Sequence, residues 1–213
     1  MSFVRETLKE AAVGVGVADD PEGLRAFLQP GCAAAIWRRN MPKDAHSWLK
    51  SLKEDHLPNG RVILRKDAVA ETVGHLCDMS GLPNGDQRAW LEADIAEMAR
   101  MFADLVQTDY LRLRLDKIQT NACRKFHIDA ITARLVCTYR GMGTQYGVST
   151  DGADPKRVFT VPTGAPILLR GTLWPVDPPS GLLHRSPPIE GTGETRLVLV
   201  LDPVHDPDPE NAE

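Results

Sequence analysis

The chain has 213 residues, 42% of them apolar and 25% charged, with a formal net charge of −4. This is the make-up of an ordinary globular protein that can bury a full core without disulfide or metal staples. The absence of a basic stripe argues against nucleic acid as the main partner. No stretch reaches the ~20 apolar residues of a membrane-spanning helix.

The N-terminus carries Arg5, Glu6, Lys9 and Glu10 and lacks the apolar run of a secretory signal. Cys32, Cys77, Cys123 and Cys137 form no Cys-x-x-Cys pair, which suits buried thiols in a reducing compartment. A cytoplasmic protein is expected.

In chain order, Asp20-Pro21-Glu22 places a capping acid, a proline and a second acid at a helix start. That helix should end near Gln29-Pro30-Gly31. The apolar run at residues 32–37 predicts a short buried strand. Residues 42–52 predict a helix, with Ala45, Trp48, Leu49 and Leu52 at helical spacing. A further helix is predicted over 68–79, stopped at Gly81-Leu82-Pro83-Asn84-Gly85. The longest helix is predicted to run from Asp86 to about Gln107, with Trp90, Leu91, Ile95, Met98, Phe102 and Leu105 along one face.

The pattern changes near Tyr110. Leu111, Leu113 and Leu115 alternate with Arg112, Arg114 and Asp116, a period of two that marks a strand. Arg112 and Arg114 read as a polar strand face or as the lining of a substrate entrance. Further short β-rich runs follow at 131–139, 157–161, 167–170 and 196–201, separated by Gly, Pro and Asp clusters. Such spacing indicates an all-β sandwich or barrel. The expected organisation is therefore a mostly helical region over 1–108, a β core over 109–203 and a mobile tail over 204–213.

Six histidines are present, and two fall inside the β half. In His127-Ile128-Asp129, an imidazole and a carboxylate two residues apart on a strand point to the same side, which is what adjacent ligands to one metal ion require. His184 lies far along the chain, and barrel closure can bring such distant strands together. Two histidines and one carboxylate take one face of an octahedron and leave three positions open, the arrangement of non-haem Fe(II) oxygenases. Arg196 opens an apolar run, and a buried guanidinium needs an anion. A co-substrate carboxylate could supply it, as could Glu194 or Asp202.

The ordered set Leu111–Ile118, Lys125-Phe126-His127-Ile128-Asp129, a strand ending in Tyr139, Pro162-Thr163-Gly164, His184 and Arg196 resembles the core of 2-oxoglutarate- and Fe(II)-dependent oxygenases, especially the prolyl-hydroxylase-like branch. The resemblance covers roughly the last hundred residues. It implies an α+β protein with a double-stranded β-helix, a jelly-roll or cupin-like barrel, in its C-terminal half, supported by N-terminal helices. It implies Fe(II) on His127, Asp129 and His184, with the distal carboxylate of 2-oxoglutarate on Arg196 and Tyr139. The implied reaction is hydroxylation of a substrate that the sequence does not name.

The chain departs from that pattern at Val198, where many members have Ser or Thr. The stretch His184-Arg185-Ser186-Pro187-Pro188 is also similar to an uncharacterised bacterial family whose members are sometimes encoded beside zinc-handling genes, which implies zinc as the alternative metal. Two other readings stand beside the oxygenase. One is a cupin-like metal-binding protein without oxygenase activity, linked to zinc supply, in which Cys123 could join His127 and His184. The other is a structural barrel whose polar residues only satisfy one another. Tyr139 and Trp174 also read as core aromatics, Cys123 and Cys137 as packed thiols, and His75 and His205 as solvated.

Overall fold

The computed structural model describes residues 11–121, 123–149 and 151–205. Ten strands form two sheets: β1 (Gly14–Ala18), β2 (Cys32–Trp37), β3 (Gly60–Arg65), β4 (Tyr110–Ile118), β5 (Ala133–Arg140), β6 (Gln145–Val148), β7 (Phe159–Thr160), β8 (Pro166–Arg170), β9 (Leu182–Arg185) and β10 (Arg196–Val204). Three α-helices lie between β2 and β4: α1 (Lys43–Ser51), α2 (Val69–Met79) and α3 (Asp86–Leu105). A 3-10 helix, Glu22–Leu28, takes the place of the first predicted helix.

The helices bury the faces their spacing predicts. In α3, Leu91, Ile95, Met98 and Phe102 are buried, at the 3- and 4-residue steps of one helical face. In α2, Val69, Val73 and Cys77 do the same. The α2 terminus closes as a six-to-one turn, Leu82 N–H to the Cys77 carbonyl at 2.9 Å, with Gly81 at φ +65°, a conformation that costs glycine little.

The large sheet has the order β1-β2-β8-β5-β10-β4-β3, and the small one β7-β6-β9. Period-two alternation divides the large sheet's side chains between two cores. Leu111, Leu113, Leu115, Leu135, Cys137, Tyr139, Leu197, Leu199 and Leu201 pack with the helices. Ala34, Ile36, Val136, Ile167, Leu169, Val198 and Val200 pack on the opposite face with Leu182 of β9 and Tyr146 of β6. The result is three layers: helices, large sheet, small sheet.

Two expectations are made more specific here. The α+β organisation holds, with two sheets packed face to face; no closed barrel forms among the described residues, where β1 and β3 are open edges of the large sheet. The region before residue 109 is also more than a helical support: β1 pairs with β2, β2 with β8 and β3 with β4, so the first half supplies both edges of the large sheet. Within the predicted tail, β10 continues to Val204; residues 206–213, like the N-terminal ten, lie outside the described residues. No helix among the described residues is long and apolar enough to cross a membrane.

Candidate metal centre

His127 sits between β4 and β5 in an isolated antiparallel bridge with His184 of β9, rather than within a strand. Each backbone N–H donates to the other's carbonyl at 3.0 Å. The bridge extends the small sheet by one residue and sets the two imidazoles side by side, ring centroids 4.6 Å apart. Asp129 follows two residues on and is anchored by its backbone: Thr172 N–H donates to the Asp129 carbonyl at 2.9 Å. Gly171 permits this approach, since a methyl group there would overlap the Ile131 carbonyl oxygen.

One donor atom from each of His127, Asp129 and His184 lies within 4.8 Å of the other two. His127 Nδ1 is 2.8 Å from the Lys125 carbonyl, so Nδ1 is the nitrogen that donates, and Nε2 is the one placed to face a metal. His127 Nε2 stands 3.6 Å from Asp129 Oδ1, and His184 Nε2 3.0 Å from Asp129 Oδ2. Burial pushes the His184 imidazole toward the neutral form that a metal ligand must have, against the pull of the Asp129 charge. Burial disfavours charge on Asp129 as well. The His184 contact and the Arg134 guanidinium outweigh it and hold the carboxyl well below the usual carboxylate range.

Arg134 of β5 is the residue that sequence reasoning missed. Its Nη1 is 2.6 Å from Asp129 Oδ2, and its Nε and Nη2 grip Asp202 Oδ1 and Oδ2 at 2.6 and 2.8 Å. Both neighbours of Asp129 Oδ2 are off hydrogen-bond alignment, and this buried oxygen has no hydrogen-bond donor. The signal was an arginine inside the apolar run 131–139, which requires a buried anion.

The two histidines border a cavity of about 480 Å³ between the sheets, lined also by Arg134, Arg196 and the apolar Val136, Val198 and Val200; Asp129 stands behind them, in contact with both imidazoles and with Arg134. Arg196 is 1% exposed. Its Nε donates to the Met142 carbonyl at 2.7 Å and its Nη2 to Thr138 Oγ1 at 3.3 Å, while Nη1 is buried without a partner. Neither acid considered from the sequence pairs with it, for Asp202 is held by Arg134 and Glu194 accepts from Met142 N–H. Burial pushes the Arg196 guanidinium down to about 10, with only the Glu194 charge opposing. A cation in that state is short of an anion.

Tyr139 is not part of this site, a correction to the expected role. Its parity places it with Leu135 and Cys137 on the helix side of β5, where its hydroxyl donates to Asp94 Oδ2 of α3 at 2.6 Å. Cys123 borders the cavity but its thiol is not in the three-residue donor group. A larger cavity, about 730 Å³, opens elsewhere, between the 3-10 helix and the end of α3. It holds no group of three or more metal donors among the described residues; the candidate donor group borders the smaller one.

The family described as "Protein of unknown function (DUF1826)" matches residues 18–202. The chain belongs to this family. No curated protein matches the DUF1826 chain. Among solved structures, it is similar to dioxygenase for auxin oxidation 1 from Arabidopsis thaliana, described as a complex with 2-oxoglutarate, at a TM-score of 0.51 and 11% identity over 90% of this chain and 92% of that one.

A rice dioxygenase for auxin oxidation has a TM-score of 0.47 and 14% identity over 94% and 82% of the two chains. A Pseudomonas putida prolyl-4-hydroxylase has a TM-score of 0.44 and 10% identity over 86% and 97%. At these identities the likeness to the Arabidopsis protein shows a shared fold, and the site is argued from the DUF1826 chain's own residues.

Proposed function

We propose that this chain is an Fe(II)- and 2-oxoglutarate-dependent oxygenase. One observation carries the reading. The two histidines of a two-histidine, one-carboxylate donor set and a buried arginine with a free Nη1 line the same cavity. The donor set fits a divalent ion: one imidazole is fixed by its Lys125 contact, the other is driven neutral, and the carboxylate is ionised with an oxygen unsatisfied. The 2-oxoglutarate complex of the Arabidopsis protein adds support at the level of fold.

His127, Asp129 and His184 would hold the ion, and Arg196 the distal carboxylate of the co-substrate. Bound there, ferrous iron and 2-oxoglutarate supply the oxidising power to insert oxygen into a C–H bond. The protein's part is positioning. Arg134 fixes the Asp129 carboxylate against Asp202, and Val136, Val198 and Val200 keep part of the cavity wall apolar, which strengthens every charge interaction inside.

The test is succinate release from 2-oxoglutarate with Fe(II), with metal content measured on the same samples. The wild type should turn over. Arg196→Met should keep its metal and raise the KM for 2-oxoglutarate roughly thirty-fold or more, the ~2 kcal/mol or more expected when a buried charge pair is cut on one side. Removing Arg196 orphans no acid, so the fold should survive. Zinc retained with no 2-oxoglutarate turnover, or an unchanged KM in Arg196→Met, would overturn the reading.

A further inference from the structure

We propose that the cavity takes a substrate bearing an anionic group, a carboxylate or phosphate, and that Arg114 of β4 holds it. The assignment rests on the oxygenase reading for what happens to that substrate, but its binding chemistry stands separately. Five cations line the cavity, Arg114, Lys117, Arg134, Arg185 and Arg196, against one acid, Asp116.

Most of these cations have a role. Arg134 is shared by Asp129 and Asp202, and Arg196 serves the co-substrate. Arg185 donates to Gln145 Oε1 at 2.8 Å and lies over Phe126. Lys117 sits 3.9 Å from Asp55, whose side chain is 98% exposed, a contact of little energy in water.

Arg114 is the uncommitted arginine. Its Nε is buried with no hydrogen-bond partner. The nearest acid oxygen, Asp202 Oδ2, is 3.9 Å away and already bound by Arg134. A buried guanidinium nitrogen left without an acceptor is costly. A second feature adds to that cost: Arg61 of β3 stands directly across the ladder from Arg114, and like charges so placed repel. An anion in the cavity relieves both.

The position also suits a substrate. Arg114 faces Val200 of β10, two residues before Asp202, which Arg134 ties to Asp129. A molecule gripped by its acidic end at Arg114 therefore lies in the same cavity as His127 and His184. The planar fork of arginine matches carboxylate and phosphate oxygens in pairs.

The test follows the arginine Nε–H resonances of ¹⁵N-labelled chain while inorganic phosphate, or acetate in a second arm, is added. It is done on the chain alone and on the chain given Zn(II) and 2-oxoglutarate to fill the neighbouring subsite. One resonance, lost in Arg114→Met, should move saturably, and Arg114→Met should weaken the anion at least ten-fold. Arg114→Lys should fall between. The arm with the larger response identifies the group. Arg114→Met should melt at or above the wild-type temperature, since it breaks no hydrogen bond among the described residues; a lower Tm with unchanged anion binding would make Arg114 structural and overturn the assignment. Undiminished anion binding in Arg114→Met alongside normal metal and 2-oxoglutarate binding overturns it alone. Arg114-dependent anion binding in a chain that takes up no 2-oxoglutarate supports it and removes the oxygenase reading.

Discussion

Replacing Asp129 with Ala is expected to weaken divalent-metal binding by at least about a hundred-fold while leaving the fold intact. Asp129 is the anionic member of the donor set, and its Oδ1 and Oδ2 stand 3.6 and 3.0 Å from the two histidine Nε2 atoms. Without it, two neutral imidazoles are left to bind a dication beside the Arg134 cation. Changing a group that only orients a ligand costs roughly 10- to 100-fold in metal affinity, so loss of the charged ligand should lie at or beyond the top of that range. The fold should not suffer in proportion, because Arg134 keeps both its hydrogen bonds to Asp202 and no cation is left buried alone. Competition against a chromophoric chelator reads the affinity, and urea unfolding of metal-free protein reads the stability. Equal metal affinity in wild type and Asp129→Ala would remove the proposed ligand set.

The second large effect concerns stability. Asp94→Ala should cost about 3–5 kcal/mol, the usual result of removing one partner of a buried ion pair. Asp94 accepts from Arg39 Nη1 and Nη2 at 2.6 and 2.7 Å and from the Tyr139 hydroxyl at 2.6 Å. This ties α3 to β5 and to the segment after β2. Both Arg39 and Tyr139 would be left in the core, with Arg39 keeping the Gly164 carbonyl and a weak contact to the Met98 sulfur at 3.9 Å. Against a typical total of ~5–15 kcal/mol, that shift is large and should appear as a fall in the urea midpoint. Tyr139→Phe should cost less, about 1–3 kcal/mol, and leave the KM for 2-oxoglutarate unchanged. A raised KM in Tyr139→Phe would put that hydroxyl back in the cavity.

The contrast between Tyr139 and Arg134 shows what was legible in the sequence. Period-two alternation along 131–139 separates Leu135, Cys137 and Tyr139 from Arg134, Val136 and Thr138. Once Arg196, Val198 and Val200 define the cavity side of β10, the pairing of Val200 with Val136 and of Val198 with Thr138 assigns Arg134 to the site and Tyr139 to the helices. The alternation was readable; the register that gives it meaning is tertiary. His127 and Asp129 were found through same-side spacing, although the backbone there forms only a bridge.

The helices and most strands follow from strong periodic signals, as at 86–105 and 110–118. β1, β3 and β6 were missed. Gly14–Ala18 and Gln145–Val148 are short and contain glycine. Gly60–Arg65 mixes Arg61 and Arg65 with exposed Ile63, the weak alternation of an edge strand. Those omissions hid the two-edged sheet and favoured a closed barrel.

The most direct test of the central claim is X-ray absorption on the wild-type chain loaded anaerobically with Fe(II), with Asp129→Ala and His184→Ala beside it. The account predicts one iron per chain bound through two imidazole nitrogens and a carboxylate oxygen, at about 2.0–2.2 Å if iron follows the usual metal–ligand distances. One imidazole should disappear in His184→Ala. An iron shell without histidine, or one identical in all three proteins, would contradict it.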